Sequence, residues 1–346
     1  MERAEQVSSP LRVVDGLTSI DRLEPLDGYH GELVAAIDRL LQDGVDALEV
    51  TKAVADVNDR LTTRLVELAE EGLGPAPFSY AWLKLGSQGR GEQVLSSDQD
   101  SALAYGGPRR ADGDPANYFS EMAGRVVDGL ARAGIRRCSG GFMATTWCHP
   151  LEQFTAQFHA WVDRPEPEAL LRAEVFFDVR SVYGALPVDG LTDILVTGGG
   201  RGPFQAQMAK AAVTFAPPRT IFGRLRTDHG YLDAKRAGTA PIVLLARLYA
   251  LGAGSMAHST AMRLRDAGEH ALGPQAAQQL TDAYRLLTGL RLRHQVEQSL
   301  RGEALDNRIR VDALSADDAA GLRDARKAVR VVQQATAIRF MTHIVA

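Results

Sequence analysis

Residues 80–105 read Tyr80-Ala-Trp-Leu-Lys-Leu-Gly-Ser-Gln-Gly-Arg-Gly-Glu-Gln-Val-Leu-Ser-Ser-Asp-Gln-Asp-Ser-Ala-Leu-Ala-Tyr105. An apolar run from Tyr80 to Leu85 breaks at Gly86-Ser87, crosses a polar turn and resumes as Ala102-Leu-Ala-Tyr105, the pattern of strand, loop with a short helix, and second strand. Asp98 and Asp100 therefore stand at the start of the second strand. Side chains at i and i+2 of an extended segment share a face, so both carboxylates can offer oxygens to one pair of Mg²⁺ ions. Gly86 lets the backbone approach a phosphate closely, and Ser87 and Arg90 supply a hydroxyl and a forked cation for its oxygens. A plainer reading uses the same residues: Ser96-Ser-Asp98 suits a helix N-cap or Asx turn, and Gly86, Gly89 and Gly91 a flexible loop. Glu92 and Gln93 are assigned to shaping the loop.

Outward from this stretch, 346 residues suit two or three domains, each with its own core. Hydrophobic content of 45% with 24% charged residues is that of a globular protein. The net charge of −4 leaves no general footprint for nucleic acid, so any anion site must be local and built from clustered arginines. The prevalence of Arg and Ala suggests a GC-rich bacterial source. Two cysteines, Cys138 and Cys148, form no Cys-x-x-Cys pair and fit a reducing cytoplasm. Cys148-His149 has no second Cys/His pair at ligand spacing, so a structural role is expected rather than a metal site. No apolar stretch reaches the roughly 20 residues needed to span a bilayer, and no secretory leader is read at the start. A cytoplasmic protein is expected.

Residues 1–29, with Pro10, Gly16, Pro25 and Gly28, read as a loose lead-in. From His30 to Glu71 apolar residues recur at helical spacing, predicting two helices parted at Asp43-Gly44 and ended by Gly72-Leu-Gly-Pro-Ala-Pro77. Together they form an N-terminal helical arm over residues 1–75 that carries no chemistry of its own. A further helix is predicted from Pro115 to Ala133, and another from Phe154 to Trp161. The Gly-broken segment 135–147 brings backbone and small side chains near whatever it faces. Trp147 and Trp161 are open to base stacking or to core packing. Asp178 sits in the strand-like Val175-Phe-Phe-Asp-Val-Arg180 and needs a cation there, either a metal or an arginine such as Arg180. Thr197-Gly-Gly-Gly-Arg-Gly-Pro203 lacks the Gly-Lys-Ser/Thr of a phosphate loop and reads as a hinge. Segments 204–215, 240–251, 258–268, 275–300 and 316–344 predict a bundle of four or five helices.

The run Gly86-Ser-Gln-Gly-Arg-Gly-Glu-Gln-x-Leu-x-Ser-Asp-Gln-Asp-x-Ala-Leu103 resembles a bacterial family of nucleotidyltransferases related to the PII-protein uridylyltransferase, within the polymerase-beta-like superfamily. Looser likeness extends over residues 30–346, through Phe177-Asp-x-Arg180, Leu232-Asp-Ala-Lys-Arg236, Ala246-Arg-Leu-Tyr-Ala250, Thr260-x-x-Arg263 and Arg293-His-Gln295. The resemblance implies an α+β fold, a mixed sheet flanked by helices, with the catalytic domain at 76–200 and a helical substrate-binding domain at 204–346. It implies that Asp98, Asp100 and Asp178 are the catalytic, metal-holding acids, with Mg²⁺ (or Mn²⁺) as cofactor and a nucleoside triphosphate as donor. Gly86, Ser87 and Arg90 would bind the phosphates, and Lys235 and Arg236, with Arg247 and Arg263, would contact phosphate or acceptor. Each of those last four also suits a solvated or ion-paired helix charge. UMP transfer to a protein, in signal transduction, is the first expectation and AMP transfer the second; a small-molecule acceptor and a homodimer stay open. The CBS and cyclic-nucleotide modules of many members are not read here. Two other classes compete: a nucleotide-sensing module without transfer, and a metal-dependent phosphohydrolase, for which no adjacent His-Asp pair is present.

Overall fold

A computed structural model describes residues 24–108, 112, 114–214 and 229–342. Most of the expected lead-in lies outside these residues. They divide into two compact units, one running to Phe158 and resuming over Glu174–Thr192, the other made of His159–Ala173 and the chain from Asp193 onward.

The first unit is a sheet wrapped by helices. Helix α1 (Tyr29–Gln42) and α2 (Ala47–Leu73) are parted at Asp43-Gly44. The Asp46 carboxylate caps α2 by accepting from the Leu48 amide at 2.9 Å. Val50, Val54, Val57, Leu61 and Leu65 recur every three or four residues and are all buried, so α2 presents one apolar face. That face packs on α4 (Pro115–Arg132), whose Phe119, Met122, Val126 and Leu130 are buried in turn. Asp114 and Pro115 start α4 as cap and first-turn residue.

The sheet has order β3-β2-β1-β4, with β1 at Ser79–Lys84, β2 at Ser101–Gly106, β3 at Cys148–Pro150 and β4 at Arg180–Tyr183. β1 is antiparallel to both neighbours, and β2 and β3 run parallel, so the sheet is mixed. Tyr80 through Lys84 are all buried, as a central strand covered on both faces requires. The short helical turn α3 (Gly86–Gly89) leaves its end. Thus strand, turn and strand fall where the hydrophobic pattern puts them.

Beyond β3 come α5 (Leu151–Asp163) and α6 (Pro167–Ala173). Helix α7 (Asp189–Gly199) passes into the second unit at Asp193, and that unit adds α8 (Gly202–Thr214), α9 (Ala240–Gly252), α10 (Thr260–Gly268), α11 (Pro274–Leu300) and α12 (Ala316–Arg339). Every residue from Pro241 to Leu251 is buried, so α9 is the core helix of this unit, packed by α8 and α10. Two differences from expectation stand out. Thr197–Gly199 is the last turn of α7 rather than a hinge loop. A two-stranded sheet, β5 (Tyr231–Asp233) with β6 (Arg308–Arg310), joins the helices; three-residue strands are too short to leave a period-2 signal. Among the described residues no helix is long and apolar enough to cross a membrane.

Candidate active site

Leu85 follows β1 in extended backbone and donates its amide to the Asp100 carbonyl at 2.9 Å. The chain then turns sharply at Gly86, with φ of +54°. A Cβ at this glycine would lie 3.0 Å from both Asp100 Oδ2 and Val175 Cγ2. The missing side chain is what lets the Asp100 carboxylate rest against the turn. Gln88 Nε2 donates to the Asp98 carbonyl at 2.9 Å, and Ser87 Oγ lies 3.4 Å from Ser97 Oγ. Gln99, fully buried, points into the core and donates to the Val127 and Ile135 carbonyls. Its neighbours Asp98 and Asp100 are both partly exposed, which is the alternation of an extended segment. Arg136 Nη2 stands 3.2 Å from Asp98 Oδ1 and donates to the Ser96 carbonyl.

Asp178 lies not in a strand but in a 3₁₀ turn, Phe176–Asp178. The reason is docking: the Val175 carbonyl accepts the Gly86 amide at 2.9 Å, and the Asp178 carbonyl packs so tightly on Gly89 that a Cβ there would lie 1.7 Å from it. Strand pairing with β1 begins only at Arg180, opposite Lys84. The Asp178 carboxylate is fully buried and paired with Arg90 Nη1, while Arg90 Nε donates to Glu92 at 2.8 Å. Arg90 thus sits between two acids, and the Gly86 amide is spent on Val175. Phe142 and Trp147 pack on Phe176, with centroids 6.0 and 4.4 Å away, so the Gly-broken segment walls this turn. Trp161 is buried.

A buried ionic network, not anticipated from the sequence, lies behind the turn. Lys84 is 1% exposed; its ammonium stands 2.8 Å from Asp59 Oδ1 and donates to the Asn58 carbonyl at 3.1 Å. Burial pushes this ammonium below the usual lysine range, against the pull of Asp59. Arg180 Nη2 donates to Asp59 Oδ2 at 2.7 Å. The one signal available beforehand was a lysine inside an apolar run.

Lys235 and Arg236 belong to the second unit, exposed in a π turn (Lys235–Thr239) whose first two amides donate to Asp233. Arg247 and Arg263 are buried there rather than solvated. That unit also carries an open cavity of about 730 Å³ beside Arg293, Arg301, Arg308 and Tyr231. Its arginines are largely satisfied internally: Arg293 by Asp318, Arg301 by Glu303, and Arg308 over the Tyr231 ring.

Asp98 and Asp100, two hard oxygen donors on one partly exposed edge, fit a divalent cation such as Mg²⁺ or Mn²⁺. Asp178 has its carboxylate on Arg90. Among the described residues no group of three or more His, Cys, Asp or Glu is placed to hold a metal ion. Burial and the nearby Asp100 raise the Cys138 thiol, and burial pushes Cys148 up to about 11. Less thiolate at pH 8 means slow alkylation of both. Iodoacetamide labelling followed by mass spectrometry should show rates climbing with pH, toward about 11 for Cys148; rates at pH 8 equal to those of a free peptide thiol would contradict the burial.

A mixed sheet whose central strand opens into a glycine–serine turn, with an acid-x-acid pair entering the neighbouring strand, is consistent with a polymerase-beta-like fold. The family comparisons agree. The chain belongs to the family described as "Putative nucleotidyltransferase DUF294", whose model matches residues 31–168, and its companion "Putative nucleotidyltransferase substrate binding domain" matches 202–340. No curated protein matches the chain.

Proposed function

We propose that this nucleotidyltransferase moves a nucleoside monophosphate, UMP first and AMP second, from a triphosphate to a hydroxyl of an acceptor protein or small molecule. A PII-like signalling protein heads the candidate acceptors. The acceptor oxygen attacks the α-phosphorus, the bond to the bridging oxygen breaks, and pyrophosphate leaves. The observation that carries this reading is Asp100 Oδ2 resting against Gly86, which puts acid pair and phosphate turn side by side.

In this reading Asp98 and Asp100 hold the cation and Asp178 is the third acid, with Arg90 as its counter-ion. A bound divalent ion supplies positive charge to the triphosphate and eases deprotonation of the acceptor. Ser87 offers its hydroxyl to a phosphate oxygen. Arg90, held by Glu92 and Asp178, is fixed beside the turn, so its guanidinium need not reorganise to meet a phosphate, although the two carboxylates offset its charge. Lys235, Arg236 and the rest of residues 204–346 would serve the acceptor.

Incubation with each α-labelled nucleotide, Mg²⁺ or Mn²⁺ and a cell lysate tests the proposal. Label on an acceptor, with one pyrophosphate per transfer, is the expected result; free phosphate without pyrophosphate would identify a phosphohydrolase. One observation favours a second reading, a nucleotide sensor that binds without transfer: Asp178 is already satisfied by Arg90. Calorimetric binding of a triphosphate with no label transfer would select it.

A further inference from the structure

We propose that Asp59, on α2 and outside the sheet, is a positioning residue for the turn Gly86–Gly89, acting through Arg180. The inference rests on the reading of that turn as the triphosphate cradle.

A four-residue helix is too short to hold its own shape. Inside α3 and its flanks the Gly89 and Arg90 amides close helical bonds to the Leu85 and Gly86 carbonyls, and the Gly91 and Glu92 amides reach back to the Gln88 and Ser87 carbonyls, which is still only about one turn. Its conformation is therefore set from outside. Its holdfasts include the Gly86 amide on Val175, the Gln88 side chain on the Asp98 carbonyl, the Ser87 hydroxyl against that of Ser97, and Arg180. Arg180 takes the end of the turn, adding side-chain donors to carbonyls there, of which Gln88 also accepts the Gly91 amide at 3.1 Å. Its Nη2 donates to the Gln88 carbonyl and its Nε to the Gly89 carbonyl, each at 3.1 Å. The guanidinium fork matches two adjacent carbonyls as an ammonium cannot.

What aims the fork is Asp59, whose Oδ2 accepts from the same Nη2 at 2.7 Å. Without that carboxylate a long, quarter-exposed arginine regains its rotamers, and the two carbonyl bonds lose their preorganisation. Asp59 Oδ1 faces the buried Lys84, so one carboxylate serves a structural cation and a positioning cation at once. The two roles separate by mutation.

Lys84→Met removes the buried ammonium and leaves the Asp59–Arg180 pair. Asp59→Asn with Lys84→Met removes both charges of the buried pair together, which spares the fold the cost of an uncompensated buried lysine. Arg180→Lys keeps the positive charge and loses the fork. Each is compared with the wild-type chain for melting temperature, for KM and kcat of label transfer, for affinity toward UTP and ATP with Mn²⁺, and for hydrogen exchange of the amides at 86–91.

The expected result is wild-type KM, affinity and exchange in Lys84→Met. The double variant and Arg180→Lys should show KM raised about tenfold, kcat within about threefold, and faster exchange, because a loosened cradle weakens ground-state binding. Wild-type KM in both variants, or wild-type exchange in both, overturns the proposal. A wild-type chain that transfers no label from any nucleotide defeats the transferase reading instead. Exchange and nucleotide affinity then decide the role of Asp59 on their own.

Discussion

Asp100→Ala should lower pyrophosphate release by about a thousandfold, the scale of losing several kcal/mol of charge stabilisation at roughly 1.4 kcal/mol per decade. Asp98→Ala should do the same. Both changes spare the fold for a specific reason: the contacts that Leu85 and Gln88 make here are to the backbone carbonyls of Asp100 and Asp98, which alanine retains. Both side chains are partly exposed, and the Arg136 guanidinium that faces Asp98 is itself half-exposed. A coupled pyrophosphate assay beside a thermal melt reads the two quantities separately. Full turnover in either variant would remove the acid pair from the chemistry. Asp178→Ala is a poorer test, because it leaves Arg90, only 11% exposed, short of one acid and costs stability as well as activity.

Gly89→Ala should do the opposite, damaging the fold itself. Its Cβ would lie 1.7 Å from the Asp178 carbonyl oxygen and 2.8 Å from that of Lys84, and both obstacles are backbone. The turn and the 176–178 segment would have to part, opening the Arg90–Asp178 pair. A loss of about 3 kcal/mol or more is expected, the upper range for overpacking. For a unit of this size that lowers the melting temperature by on the order of 10 °C. Scanning calorimetry checks it; a melting temperature unchanged within about 2 °C would mean that the two segments are not in contact.

The longer helices were legible because they carry a 3.6-residue apolar rhythm, which the short α6 and the glycine-ended α7 do not show, and the turn with its acid pair because glycine, serine and two aspartates fall at a fixed spacing between two apolar runs. Asp178 was legible as an acid needing a cation, but not its backbone. Val175-Phe-Phe-Asp-Val is rich in strand formers, and only the carbonyls of Val175 and Asp178, docked on a turn far back in the chain, bend it into a 3₁₀ turn. Lys84 read as one polar residue in a strand. Its partner Asp59 sits on a helix with no local mark of its task, and pairing of that kind is decided by tertiary approach alone. The strands β5 and β6 were invisible because three residues carry no period.

The order of the sheet also bears on how the chain is made. β1 bonds on one side to β2, which follows at once, and on the other to β4, whose Arg180 lies about 100 residues downstream, beyond a segment that belongs to the second unit. During synthesis the nascent hairpin must therefore wait with one edge bare while residues 159–173 emerge, and a fragment stopped at Phe158 would never cover it. Ribosome-bound intermediates of intermediate length are the species a chaperone would meet.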